Sequence, residues 1–479
     1  MERYEDAAWA AKMAVGLDFN YAMADFVAEH GLAYEDLTAL APRMAEIHQD
    51  LEAGRQSGRL AFLDLPYDQV LVKQIRTLAK PFLEYLWEFV VLGIGGSALG
   101  ARALHQALCH PQHNRLPLAR KQHKPSLYVL DNIDPDYLFG MLDALDLRRT
   151  GVNVISKSGA TAETLAQFLF IHQVLKNRLG EDKVRERLII TTDPEKGPLR
   201  QLAQKEGYRT LEVPPAVGGR FSVLSAVGLL PAHMAGINIA ELLAGARFMD
   251  QRLREREFLK NPALLLAAIA YLFATAKRRP MLVIMPYAST LAGMAEWFCQ
   301  LWAESLGKRF DLAGRLVEAG STPVRALGVT DQHSQLQLYM EGPHDKLIIF
   351  LEVEKFQHVL SMPSLAAELE DFSYLAGRSL NELLTAELQA TSFNLMKAKR
   401  PNLTIKLPEI NAFTLGQLIF LLEVATVAAG RLFGVNPLDQ PGVEGGKKTT
   451  FGLMGRPGFE AYREEVAQAK PKMLKYMTN

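Results

Sequence analysis

Short apolar runs recur along the chain at intervals that fit strands alternating with helices. The first part, about Glu2 to Leu83, carries a helical pattern rich in Ala, Glu and Leu. Strand-like runs then fall at Phe89–Ile94, Ser126–Asp131, Val152–Ser156, Leu188–Thr192 and Thr210–Val213, with helical text between them. A spacing of roughly 20 to 35 residues suits a crossover helix between parallel strands, so a parallel sheet covered on both faces is expected. After a long helical region, about Ile239 to Ala276, the pattern restarts at Met281–Met285, Val324–Val329, Lys346–Val353 and Asn402–Leu407. The expected fold class is therefore α/β, with two doubly wound units that part between about Ala240 and Asn261. The expected organisation is a helical region over 1–83, a first unit over 84–245, a second over 246–432, and a loop and tail over 433–479.

Composition narrows the function classes. Lys plus Arg and Asp plus Glu both number 53 in 479 residues, so no global field draws in nucleic acid or an anionic membrane. Two cysteines, Cys109 and Cys299, are too few for a disulfide framework and point to a reducing, cytoplasmic compartment. The N-terminal segment mixes charged and apolar residues and predicts no secretory leader. The longest uncharged stretch, Phe221 to Ala240, is broken by Pro231, His233 and Asn238 and reads as buried rather than membrane-spanning. Basic runs before proline ("RKQHKP", "AKRRP", "KAKRP") read as cations closing helices ahead of a proline stop.

The stretch "VVLGIGGSALG", Val90 to Gly100, runs from a strand through a glycine turn into a helix, a frame suited to phosphate. A dinucleotide site wants an acid about 20 residues on, yet no Asp or Glu occurs from Ala98 to Leu130 and Asp131 comes late. A P-loop wants Lys and Ser/Thr where Ala101 and Arg102 stand. What remains is a single phosphate or a sugar meeting the backbone. The turn after the third strand, "SKSGAT", is the better phosphate site: Ser156, Ser158 and Thr161 bring hydroxyls, Lys157 a charge, and a helix starts directly after. The competing reading is a plain helix cap.

Residues able to do chemistry lie elsewhere. "STLAGMAEWFCQLWAESLGK" predicts a helix capped by Ser289 or Thr290 and stopped by Gly307, with Gln300 and Glu304 on one face. Met294, Trp297 and Leu301 give that helix an apolar neighbourhood, a setting that favours a carboxylate acting as base. Arg220 sits in "VGGRFS", where glycines admit a ligand to the backbone and a permanent cation can meet an oxyanion. His333 in "GVTDQHSQ" follows a strand end, and Lys447 closes "DQPGVEGGK", a loop with little core-building content.

Together "LGIGGSALG", "SKSGATAET", "VGGRFS", "QLWAESLGK", "GVTDQHSQ" and "DQPGVEGGK" resemble, in order and approximate spacing, the glucose-6-phosphate isomerase family in its shorter bacterial form. The match runs from Leu92 to Lys447. The resemblance implies two sugar-isomerase (SIS) domains, each a parallel sheet between helices, and a cofactor-free, metal-free aldose–ketose isomerisation of a hexose 6-phosphate. It implies Ser156, Lys157, Ser158 and Thr161 at the phosphate, with Gly96 and Ser97 nearby, and Gln300 and Gln440 as substrate contacts. Glu304 matches the base that moves a proton between C2 and C1, Arg220 the cation at the cis-enediolate, and His333 and Lys447 the groups that open the ring. In the family the matching histidine comes from the neighbouring subunit, which implies a homodimer. Two departures stand out: Gly159-Ala160 replaces the Phe-Thr of many animal-type members, and "ESLGK" replaces "ESNGK".

Other readings are weaker. His105, His110, His113 and His123 lie close in sequence, but no two of them make an i, i+4 pair and no carboxylate lies among them, which argues against a metal-dependent isomerase. Cys299 lies in an apolar helix and reads as packing rather than a nucleophile. A non-catalytic sugar-phosphate sensor would not need Glu304, His333 and Lys447 together. An enzyme acting on both glucose and mannose phosphates is a closer alternative, because the epimers differ only at the atom that loses its proton.

Overall fold

The computed structural model describes residues 2–363 and 370–478. The strands are β1 (Gly16–Asp18), β2 (Glu88–Leu92), β3 (Ser126–Leu130), β4 (Thr150–Ser156), β5 (Leu188–Thr192), β6 (Arg209–Glu212), β7 (Met281–Pro286), β8 (Lys308–Phe310), β9 (Leu316–Ala319), β10 (Thr322–Arg325), β11 (Lys346–Lys355) and β12 (Asn402–Glu409). They form two five-stranded sheets, ordered β3-β2-β4-β5-β6 and β1-β12-β11-β7-β10, with β8 and β9 as a separate hairpin. The first sheet is wholly parallel. The second is parallel except for β1, which runs antiparallel to β12 at one edge.

Both sheets share one winding. In the first, the chain steps from β2 to β3, then returns across β2 to β4. In the second it steps from β7 to β10, then returns across β7 to β11. Each reversal opens a crevice at the carboxyl ends of the strands, where α/β proteins bind ligands. The glycine turn after β2 and the "SKSGAT" turn after β4 stand at the first crevice, since Leu92 pairs with Val154.

The strands are apolar on both faces because both faces are covered. On β2, Phe89 and Val91 enter the large central core, whereas Val90 and Leu92 enter a second cluster beneath Phe168, Ile171 and Leu175 of the Ala162–Leu179 helix. On β7, Leu282 and Ile284 join the central core, and Val283 and Met285 pack with Tyr339, Leu388 and Leu395 on the outer side. The central core thus spans both sheets, and the Ala412–Phe433 helix runs through it. Among the described residues that helix alone is long and apolar enough to cross a membrane, and its apolar window is entirely buried inside the protein.

All nine strand-like runs become strands, with ends shifted by a few residues. The largest shift is at Val324–Val329: β10 ends at Arg325, and a turn follows at Gly328 and Val329. The 1–83 region is mostly helical as expected, but it also supplies β1, whose three residues are too few for a periodicity to register. The β8–β9 hairpin was equally hidden, because its residues are largely exposed. Phe221 begins a buried segment, and Pro231 lies inside its helix, Ala226–Met234. The basic runs are not simple helix ends: buried Arg279 donates to the carbonyls of His30 and His344, and Arg400 to that of Gly342.

Candidate active site

The Ala292–Leu306 helix follows β7 and lies against the Leu99–Leu108 helix of the first unit. Gly293 makes that approach close: a Cβ there would stand 3.0 Å from the Cα of Ala103. No side chain caps the helix; a 3-10 turn, Ser289–Leu291, leads into it instead of the expected Ser289 or Thr290 cap. Met294, Trp297 and Leu301 face the core. Gln300 and Glu304 flank this apolar stripe on one side, and Gln300 Nε2 donates to Glu304 Oε2 at 3.0 Å.

Arg220 meets that face from the first unit. It sits in the 3-10 turn Gly219–Phe221 and is 2% exposed. Its Nε donates to Ser305 Oγ at 2.7 Å, Nη1 to Gln440 Oε1 at 2.8 Å, and Nη2 to the carbonyls of Pro437 and Asp439 at 2.5 and 3.0 Å. Its Nη1 stands 3.5 Å from Glu304 Oε1. Burial lowers its affinity for its proton, and the charges of Glu304 and Asp439 act in the other direction. A guanidinium is still a cation in such a place. The neighbourhood of Glu304 is therefore charged and polar on the side it faces, a correction to the apolar setting expected from the helix alone.

The glycine turn closes the cluster. A Cβ on Gly96 would fall 2.2 Å from the backbone carbon of Gly219 and 2.6 Å from the Arg220 nitrogen. Gly95 has φ +55, and a Cβ there would fall 2.8 Å from Gln300 Nε2. A side chain at 96 would push apart the turns that carry Ser97 and Arg220, whereas at 95 it would meet only the movable end of Gln300, and it is the left-handed backbone there that calls for glycine. Ser97 ends the same turn half-buried. Two residues that sequence reasoning gave no role support the arrangement: Ser305 fixes Arg220, and buried Lys308 donates to the carbonyls of Glu304 and Ser305 at 2.8 Å each. Both lie within "ESLGK", so the motif held the signal, but only tertiary contacts give it meaning.

At the neighbouring turn, Ser156 Oγ and Thr161 Oγ1 are 2.9 Å apart, and the Ser156 carbonyl accepts from Thr192 Oγ1. Thr161 precedes the Ala162–Leu179 helix without capping it through its side chain, so the plain-cap reading fails. Ser158 is exposed and accepts from the Ala160 nitrogen. Lys157 is half-buried and makes no ion pair among the described residues; burial holds its ammonium below the usual lysine range, with Asp193 opposing. Asp131, too late for a ribose, is instead held by Arg102 at 2.8 Å.

Among the described residues, neither His333 nor Lys447 makes a hydrogen bond or ion pair with Glu304 or Arg220. His333 ends an exposed 3-10 turn, Thr330–His333, after β10. Lys447 lies on the exposed Glu444–Leu453 helix and pairs with Glu444 at 2.7 Å. Cys299 packs beside the core, and burial pushes its thiol up to about 11.

Two like-wound parallel sheets, with a carboxylate–guanidinium pair beside the glycine turn at the carboxyl end of the first, define an α/β protein whose site lies where its two units meet. The family model described as phosphoglucose isomerase matches residues 82–456, and the chain belongs to that family of isomerases. It is 46% identical, over 96% of its length and 98% of the other, to a glucose-6-phosphate isomerase of Carboxydothermus hydrogenoformans. A hypothetical protein from Thermus thermophilus superposes with a TM-score of 0.81 and 37% identity, covering 92% of this chain and all of that one. A glucose-6-phosphate isomerase from Chlamydia trachomatis shares the fold, with a TM-score of 0.77, 23% identity, and coverage of 92% and 90%.

Proposed function

We propose that the chain reversibly converts D-glucose 6-phosphate to D-fructose 6-phosphate, in glycolysis and gluconeogenesis, in the cytoplasm. The observation that carries this reading is the Arg220–Glu304 pair beside the glycine turn. A proton next to a carbonyl becomes removable when a base stands at the carbon and a fixed cation at the oxygen. Glu304 takes the proton from C2 of the open-chain aldose, the C–H electrons form the C1–C2 double bond, and the carbonyl electrons move onto O1. Arg220 stabilises this cis-enediolate; the proton on O2 then passes to O1, and as the O2 electrons form the C2 ketone the double-bond electrons take the proton from Glu304 at C1.

The phosphate belongs at Ser156, Lys157, Ser158 and Thr161, with Gly96 and Ser97 at the sugar side and Gln300 and Gln440 as further contacts. A half-buried ammonium with no ion pair among the described residues, beside a helix N-terminus that no side chain caps, is a setting that suits an anion. Binding there orients the reacting carbons without touching them. Ring opening falls to His333 and Lys447. Because His333 is exposed and, among the described residues, has no hydrogen bond to Glu304, the reading places it in the site of a second copy, in a homodimer.

The test is conversion of purified protein and fructose 6-phosphate to glucose 6-phosphate, with EDTA present and mannose 6-phosphate assayed in parallel. Turnover unaffected by EDTA, with no mannose 6-phosphate formed, is expected. No turnover contradicts the reading, and formation of both epimers replaces it with the two-substrate enzyme.

A further inference from the structure

The far end of the Leu99–Leu108 helix carries three ligand-type side chains that isomerisation does not use. His105 lies in its last turn, Cys109 follows the helix end, and His113 opens the 3-10 turn His113–Arg115. The spacing is four residues and then four, which histidines considered alone conceal because the middle member is a cysteine. One ligand atom from each residue lies within 4.8 Å of the others. The rings of His105 and His113 meet edge to face, with centroids 5.1 Å apart.

We propose that His105, Cys109 and His113 bind a thiophilic divalent cation of the zinc class. Two imidazoles and a thiolate are a donor set for such an ion, with water as the fourth ligand. The hydrogen bonding already suits it. Buried His113 points Nε2 at the Pro125 carbonyl, 3.0 Å away. A carbonyl only accepts, so Nε2 carries the hydrogen and Nδ1 keeps its lone pair, the outer-shell arrangement of metal-bound histidines. His105 Nε2 is buried with no hydrogen-bond partner, an arrangement that costs stability unless something fills the position. Cys109 Sγ has only a long contact, 3.7 Å, to the Ala235 carbonyl.

Tetrahedral bonds of about 2.0–2.3 Å set ligand atoms about 3.3–3.8 Å apart, so binding asks the three side chains to close by roughly 1.5 Å at most. Cys109 also lines a cavity of about 650 Å³, bounded by Arg3, Asn238 and Phe356, which gives an ion a way in. The nearby Lys121 ammonium opposes a cation. It is held on Ser126 Oγ at 2.7 Å and drawn toward Glu88. The thiolate formed on binding offsets part of that repulsion and releases one proton. A bound ion would tie the segment leading into β3 to the helix that begins at the glycine turn. It would therefore stabilise the frame of the site rather than take part in its chemistry.

The test titrates the chelator-treated full chain with Co²⁺, reading the thiolate-to-metal absorption band, and repeats it with Zn²⁺ by thermal unfolding. One equivalent of Co²⁺ saturates the band, and Zn²⁺ raises the unfolding midpoint. Cys109→Ser abolishes the band, Cys299→Ser retains it, and His105→Gln weakens binding at least tenfold, with folding of each variant checked by circular dichroism. Absence of a band at stoichiometric Co²⁺, its survival in Cys109→Ser, or its loss in Cys299→Ser overturns the proposal.

Discussion

The Arg220 guanidinium stands 3.5 Å from the Glu304 carboxylate, yet 1% of the arginine side chain reaches solvent against 25% of the glutamate. The cation is fixed by four other acceptors, and the carboxylate beside it is open to a ligand. This asymmetry suits a rigid electrostatic partner and a mobile base. Arg220→Lys keeps the charge but loses the fork that reaches Ser305, Gln440, Pro437 and Asp439 together. It should lower kcat by about 10²–10³, the usual cost of a lost oxyanion donor, with a smaller change in KM. Steady-state kinetics on fructose 6-phosphate measures this, and an unchanged kcat would remove Arg220 from the reaction.

Lys157 separates binding from stability. Its half-buried ammonium makes no ion pair among the described residues, and the charge of Asp193 offsets only part of the cost of burying it, which the substrate's phosphate would offset further. Lys157→Met should raise the unfolding midpoint of the free protein and raise KM at least about tenfold, with kcat less affected. Thermal unfolding and initial rates on the same preparation check both. An unchanged KM would move the phosphate elsewhere.

Shared sites predict complementation. Glu304→Gln and His333→Ala homodimers should each be nearly inactive. If each site takes Glu304 from one chain and His333 from the other, a mixed dimer has one intact site. Equal amounts exchanged at random should then recover about a quarter of wild-type activity. No recovery after verified subunit exchange would confine each site to one chain.

Glu423, on the core helix Ala412–Phe433, is fully buried, and neither carboxylate oxygen has a hydrogen-bond partner. Burial raises its pKa well above the usual carboxylate range. The folded state therefore holds the protonated form. Its contribution to stability is complete below the unfolded value, near ~4.3, and falls by up to about 1.4 kcal/mol per pH unit above it until the buried carboxyl itself ionises. Glu423→Gln should remove this decline, making the variant increasingly more stable than wild type from pH 5 to pH 8 in urea unfolding. Parallel pH profiles for the two proteins would contradict this.

Much of the frame was legible in the sequence because the inner strands are buried on both faces, which makes β2, β7 and β11 nearly unbroken apolar runs, whereas the edge strands β6 and β10 are not. β1 was not legible: Gly16, Leu17 and Asp18 acquire strand geometry only by pairing with Lys406, Ile405 and Thr404, nearly 390 residues away. Gln300 and Glu304 could be placed on one face from helix periodicity, and "VGGRFS" marked Arg220. The need for glycine at 96 could not be read, because it comes from the backbone of Gly219 and Arg220, more than a hundred residues later. His105 and His113 were weighed as histidines alone and set aside, because the residue that links them at spacings of four is Cys109.

The central claim, that Glu304 carries the proton between C2 and C1, is tested most directly by isotope exchange. Fructose 6-phosphate is incubated with the protein in D₂O, and deuterium at C2 of the glucose 6-phosphate product is measured by NMR, for wild type and Glu304→Gln. Wild type should incorporate solvent deuterium at C2, and Glu304→Gln should lose both turnover and exchange while still binding a phosphorylated sugar. Deuterium appearing at C2 in the Glu304→Gln reaction at the wild-type rate would contradict the assignment.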